Sequence, residues 1–167
     1  MERKPNVAAH HEQDITINRN QAENRAMWLA LIFEELEKEV GAEKTEAILR
    51  RAIFRHGKVR AAAKKAMHGP IETPEKLSVG FASNLGQRTF EMDHIRYDEK
   101  DMKVDFHYCA LVNAWDKLGC SDERIALLCD IAMDGDRGFA DELGFDLELN
   151  GTLANGCDAC NLCFHKK

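Results

Sequence analysis

The sequence predicts an α+β fold, with an N-terminal helical layer packed on a small antiparallel β-sheet in a single domain. Three observations carry this. Up to about residue 86, apolar residues recur at three- and four-residue spacing, as on one face of a helix. From Arg88 onward, stretches of strict apolar/polar alternation appear, as in half-buried strands. The chain has 167 residues, 44% apolar and 31% charged, enough to bury one core and ordinary for a globular protein. The expected organisation is a loosely ordered tail over 1–18 and a domain over 19–167, helical over 19–86 and mixed over 87–167.

The first helix is expected near Asn20. Met27, Leu31 and Leu36, with Trp28, Ile32 and Phe33 beside them, give its apolar face, and Gly41 stops it. Trp28 and Trp115 are read as core, although Trp28, Leu31, Ile32 and Phe33 could also supply the surface of a homo-oligomer. A second helix follows from about Ala42 to Ala66, with Gly57 interrupting or bending it, and Gly69-Pro70 breaks the pattern. Thr73-Pro74-Glu75 reads as a cap followed by proline at the first helical position, opening a short helix to about Asn84. Arg88 to Tyr97, the turn Asp98 to Asp101, and Met102 to Tyr108 form a predicted hairpin. Residues 110–118 look helical, and Ser121 caps a further helix that Gly144 closes. Phe145, Leu147 and Leu149 alternate, Asn150-Gly151 turns the chain, and Leu162 and Phe164 lie on a last strand.

Composition narrows the function. A net charge of −6 argues against sequence-independent nucleic-acid binding, which needs clustered Lys and Arg. The basic stretch from Arg50 to Lys65 is read as a solvated helix face. No run approaches the roughly 18 apolar residues of a membrane span, and the polar N-terminus lacks a secretory apolar segment. A cytoplasmic protein acting on a small molecule is expected. In that reducing compartment cysteines serve as thiols, metal ligands or catalytic groups.

All six cysteines fall in the last third of the chain. Cys109 sits where a strand passes into a helix, a position that favours thiolate, and His107 two residues earlier shares its strand face. Cys/His pairs can act as nucleophile and base. Cys129 and Asp136 are seven apart and share the apolar face of one helix, where a carboxylate must be paired or neutral. Asp130 and Asp134 repel at four-residue spacing, and Gly135 between acids weakens a helix. Such local penalties mark a candidate site. Cys157-x-x-Cys160 has the spacing of a zinc or redox pair.

The stretches Phe106 to Trp115, Leu128 to Arg137 and Thr152 to Leu162 resemble the L-2-amino-thiazoline-4-carboxylic acid hydrolase family. Cys160 matches the cysteine of that family's tail, while Cys157 replaces an acid and Cys163 stands where a basic residue is more usual. The resemblance implies hydrolytic opening of a thiazoline ring to an N-carbamoyl-cysteine product. It also implies a distant similarity to small-molecule sensor domains, some of which bind zinc through a comparable tail. Two expectations follow. The first is a hydrolase of a cyclic C–N or C–S bond, with Cys109, Asp134, Asp136 and Cys160 catalytic and His107 and Arg137 binding substrate. The alternative is a non-catalytic binding or sensor domain in which Cys109, Cys129, Cys157 and Cys160 hold a metal, zinc or iron.

Overall fold

The computed structural model describes residues 3–167; Met1 and Glu2 of the expected tail lie outside the described residues. Six helices and a four-stranded antiparallel sheet form one α+β domain, as the sequence predicts. Helix α1 spans Gln13–Val40 and α2 spans Ala42–His68, separated by Gly41 at φ 84°, a left-handed turn that suits glycine. α1 therefore starts seven residues before Asn20. The residues ahead of it are tied down: Ala9 and His10 donate backbone N–H bonds to Glu91, and the Asn6 amide pairs with both peptide groups of Cys109.

α3 (Pro74–Phe81) and α4 (Asn84–Phe90) are short and capped by Thr73 and Ser83. The first strand thus begins later than alternation suggests, because Arg88 to Phe90 close α4. The sheet consists of β1 (Met92–Tyr97), β2 (Asp101–Phe106), β3 (Phe145–Leu149) and β4 (Cys160–Lys166), in the order β1-β2-β4-β3. β4 enters between β2 and β3, pairing Val104 with Leu162 and Leu147 with Phe164. Met102, Val104, Leu162 and Phe164 are buried on the inner face, and the alternate residues form a polar outer face.

α5 (Ala110–Lys117) and α6 (Asp122–Glu142) complete the chain, with Ser121 capping α6. Trp115 is fully buried and donates its indole N–H to the Ala26 carbonyl at 2.9 Å. Trp28, expected in the core, is 72% exposed, because the buried stripe of α1 runs through Ala22, Ala26, Leu29 and Phe33 instead. One apolar cluster lies under the sheet and another between the helices, and Cys109 and Met133 pack against both.

α2 is continuous through Gly57, so this glycine neither interrupts nor ends it. Its role is close approach. A Cβ at Gly57 would stand 2.0 Å from the Gly135 carbonyl oxygen, and one at Gly138 would stand 2.0 Å from that of Phe54. Gly57 of α2 and Gly138 of α6 let the two backbones touch. Part of the basic stretch of α2 is spent on the same contact, while Arg51 and Arg55 are exposed as a solvated face would have them. Arg50 pairs with Asp130 and Asp134, Lys58 with Asp141, Arg60 with Asp136 and Lys65 with Glu142. No helix among the described residues is long and apolar enough to cross a membrane.

Candidate functional site

Between the two apolar clusters lies a cavity of about 340 Å³. Its walls come from elements far apart in sequence. Phe81 and Phe90 come from α3 and α4, and Met92 and Phe106 from the β1/β2 hairpin. Cys109 comes from the entry to α5, Cys129 and Met133 from α6, and Cys160 and Leu162 from β4. Arg25, Arg60 and Asp136 also line it. Arg25 is exposed and Arg60 half-exposed, which places the charged groups at the opening and the thiols in the interior.

The cavity brings together Cys109, Asp136, Cys160 and Cys129. Cys109 is placed by chain direction: β2 ends at Phe106, and the backbone turns into α5 with Cys109 at the N-cap. Asp136 lies two helical turns beyond Cys129, so both project toward the same space. Cys160 opens β4 and points to the inner sheet face, where its sulfur accepts a hydrogen bond from the Leu153 N–H at 3.2 Å.

The thiols are held protonated. Burial pushes the Cys109 thiol up, and the Val112 and Leu111 N–H groups at the start of α5 pull it down without prevailing. The expectation that this position yields a resting thiolate is thus corrected: loss of water outweighs the helix end. Burial, together with the neighbouring Cys109 and Cys160, places Cys129 well above the ordinary thiol range. Cys160 is pushed up to about 12, chiefly by burial. On the charged side, the Arg25 guanidinium is held below its usual value by the loss of water around the group, although the residue as a whole is exposed, and by the like charge of Arg60. Arg60 Nη1 lies 3.3 Å from Asp136 Oδ1. Two cations and one carboxylate leave a net positive opening suited to an anion.

The other expected site residues lie elsewhere. Asp134 is buried among guanidiniums, with Arg50 Nη1 at 3.0 Å and Arg137 Nη1 at 2.6 Å from its two oxygens. Arg137 also grips Asp130, so it is occupied by carboxylates of its own helix and does not line the thiol cavity. The repulsion expected between Asp130 and Asp134 is removed by these two arginines. His107 is exposed on the outer side, 2.8 Å from Asp93.

The four-cysteine metal set is not assembled. Among the described residues it does not appear in any group of three or more ligand atoms within 4.8 Å of one another. The reason is local: β4 begins at Cys160, turning that sulfur inward, while Cys157 stays in the preceding loop beside Gly151. Tetrahedral zinc–thiolate geometry needs the sulfurs in mutual contact around one point, and this donor set does not offer it. Arg25 and Arg60 escaped sequence reasoning. Arg60 lay in a basic run read as solvated, and nothing local marks Arg25 as facing a cavity.

The family model described as L-2-amino-thiazoline-4-carboxylic acid hydrolase matches residues 19–164, well beyond the last third on which the resemblance was read. No curated protein sequence matches the chain. Among solved structures, the chain is similar to a trafficking protein particle complex subunit 3 from Naegleria fowleri, a crystal structure of that protein covalently bound to palmitic acid. The two are 13% identical, the match covers 91% of this chain and 96% of that one, and the TM-score is 0.59. At that identity the likeness is one of fold.

Proposed function

From the premise that the chain belongs to the L-2-amino-thiazoline-4-carboxylic acid hydrolase family, we propose that it opens a cyclic C–N or C–S bond in a small carboxylate-bearing substrate held in the thiol-lined cavity. One observation carries the reading: Cys109, Asp136, Arg25 and Arg60 converge on a single cavity from four separate segments. Arg25 and Arg60 bind the substrate carboxylate at the opening. The sulfur of Cys109 adds to the amidine carbon while Asp136 accepts its proton. The Leu111 and Val112 N–H groups favour negative charge on that sulfur. The ring C–S bond then breaks, and its sulfur takes the proton from Asp136. Water adds to the enzyme-bound carbon with Asp136 as base, and the ring-opened product leaves Cys109 as a thiol. Cys129 and Cys160 shape the interior. Cys109→Ala should abolish turnover of a 2-aminothiazoline-4-carboxylate, and mass spectrometry of the wild type in single turnover should show a substrate adduct on Cys109. Full activity in Cys109→Ala overturns the covalent route.

A second reading rests on the apolar character of the same walls. Phe81, Phe90, Met92, Phe106 and Leu162 suit an aliphatic chain whose acid head meets Arg25 and Arg60. A fatty acid is the ligand such a cavity would store, and palmitic acid is bound in the solved structure of similar fold. Native mass spectrometry with palmitic acid separates the readings. Stoichiometric capture without thiazoline turnover favours storage, and turnover without capture favours the hydrolase.

A further inference from the structure

The outer face of the sheet carries a cluster that this reaction does not use. Asp93 on β1 stands directly across from Asp105 on β2. Carboxylates facing each other across two strands repel, and the ion-pair partners that reach them are histidines. His94 Nδ1 lies 3.1 Å from Asp93 Oδ1 and 2.9 Å from Asp105 Oδ2, and His107 Nε2 lies 2.8 Å from Asp93 Oδ1. His94 occupies this place because β1 is bulged between Asp93 and Arg96, with His94 left-handed at φ 48°. A side-chain-bearing residue in that region is strained, and such strain persists where it re-aims a functional group. From β4, Asn161 Nδ2 donates to Asp105 Oδ1 at 2.7 Å and fixes that carboxylate.

We propose that His94, His107, Asp93 and Asp105 form a binding site for a divalent transition-metal ion, zinc above all. Two imidazoles with carboxylate oxygen form a donor set that suits zinc. The ligand atoms of Asp93, His94 and His107 all lie within 4.8 Å of one another. Bonds of about 2.0–2.1 Å place tetrahedral ligand atoms about 3.3 Å apart, so the three imidazole–carboxylate spacings of 2.8–3.1 Å need to open by only a few tenths of an ångström. The ion supplies the positive charge that the facing carboxylates lack, and Asn161 orients a ligand as outer partners of metal sites do. It also pins the hairpin whose inner residues Met92 and Phe106 line the cavity.

A second group on this face, Asp101, Cys163 and His165, is different in kind. Both ring nitrogens of His165 are engaged, with Asp101 at 2.9 Å and Glu148 at 3.0 Å, and no residue there has a left-handed backbone. It is a closed ion-pair clamp and serves as the control.

The test uses the full chain stripped with chelator. Calorimetric titration with Zn²⁺ should give one equivalent bound. Titration with Co²⁺ should give d–d bands without a sulfur charge-transfer band. His94→Asn, whose asparagine tolerates the left-handed backbone, and His107→Gln should each weaken Zn²⁺ binding at least about tenfold, and Asn161→Ala about tenfold. Their circular dichroism should match the wild type, and His165→Asn should bind Zn²⁺ unchanged. Absence of Zn²⁺ binding, binding that survives both His94→Asn and His107→Gln, or a sulfur-to-cobalt band would overturn the proposal.

Discussion

Two stripes of α6 carry the same acid in opposite circumstances. On the stripe that meets α2, Asp134 has both oxygens taken by guanidiniums, at 3.0 Å from Arg50 and 2.6 Å from Arg137. Two residues on, Asp136 lines the cavity and has one long contact, 3.3 Å, with Arg60. The difference teaches that position in a sequence cluster does not decide which aspartate is chemically available. The supply of partners does: each aspartate meets one arginine of α2, Arg50 or Arg60, and Asp134 is gripped by Arg137 of its own helix besides. Asp134 is consumed by its two arginines, whereas Asp136 has a single arginine contact and faces the cavity.

Substitution tests that distinction most sharply at Asp136. Asp136→Asn keeps shape and hydrogen bonding but removes the base. Under the proposed mechanism it should lower turnover by about 10²–10⁴-fold while the thermal midpoint stays near wild type. Steady-state kinetics on a 2-aminothiazoline-4-carboxylate, with a melting curve on the same sample, checks both. An active Asp136→Asn enzyme would erase the contrast with Asp134.

The next largest effect belongs to the glycines of the α2-facing stripe. In Gly138→Ala the new Cβ meets the Phe54 carbonyl oxygen, a backbone atom that cannot swing aside. The helices must separate, at a cost of about 3 kcal/mol. In Gly135→Ala the new Cβ meets the Ile53 side chain at 3.4 Å, an ordinary contact, and the helix gains from alanine. That variant should unfold within about 1 kcal/mol of wild type. Urea titration of both variants measures the difference, and equal midpoints would mean that α2 and α6 are not in backbone contact.

Asp134→Asn follows. It breaks two charge-assisted bonds and leaves Arg50 and Arg137 to share Asp130. Both arginines are partly exposed, so solvent moderates the loss to about 1–2 kcal/mol. Turnover should stay within a few-fold of wild type.

Much of the frame was legible locally. Thr73 and Ser121 cap helices where their positions indicate, accepting from the Lys76 and Arg124 N–H groups, and the expected hairpin forms, although its first strand starts at Met92 and is bulged. Caps and strand alternation are short-range, so a sequence displays them. The seven-residue spacing of Cys129 and Asp136 likewise revealed a shared face. What escaped is mostly tertiary. Gly135 between two acids looked like the mark of a site, but it lies where α2 approaches α6, its carbonyl oxygen against Gly57. Arg137 looked free to hold a substrate carboxylate, but Asp130 and Asp134 occupy it. The thiol of Cys109 looked activated by its helix, but burial sets its proton affinity. For the glycine the deciding contact lies on another element, and for Cys109 it is burial by the whole fold. Asp130 and Asp134, by contrast, stand seven and three residues from Arg137 on its own helix, a spacing the sequence does display.

The smallest effect lies at the far end of the α2-facing stripe, and acid exposes it. Asp141 accepts hydrogen bonds from Lys167 and Lys58, which lower its carboxyl to about 2. A folded-state value below the unfolded value of roughly 3.9 means that the folded chain holds the ionised form more tightly. The resulting stability is fully present above pH 4 and is lost as pH falls from about 4 through about 2. The Asp141 side chain is 37% exposed, so screening limits the contribution to under about 1 kcal/mol. Asp141→Asn should therefore cost a few tenths of a kcal/mol to about 1 kcal/mol at pH 7 and only a small fraction of that at pH 2, with the two stability curves converging over that window in urea melts taken at stepped pH. Because this pair sits where α6 meets both α2 and the C-terminal residue, parallel curves across the window would show that the lysines merely lie near the carboxylate without stabilising its charge.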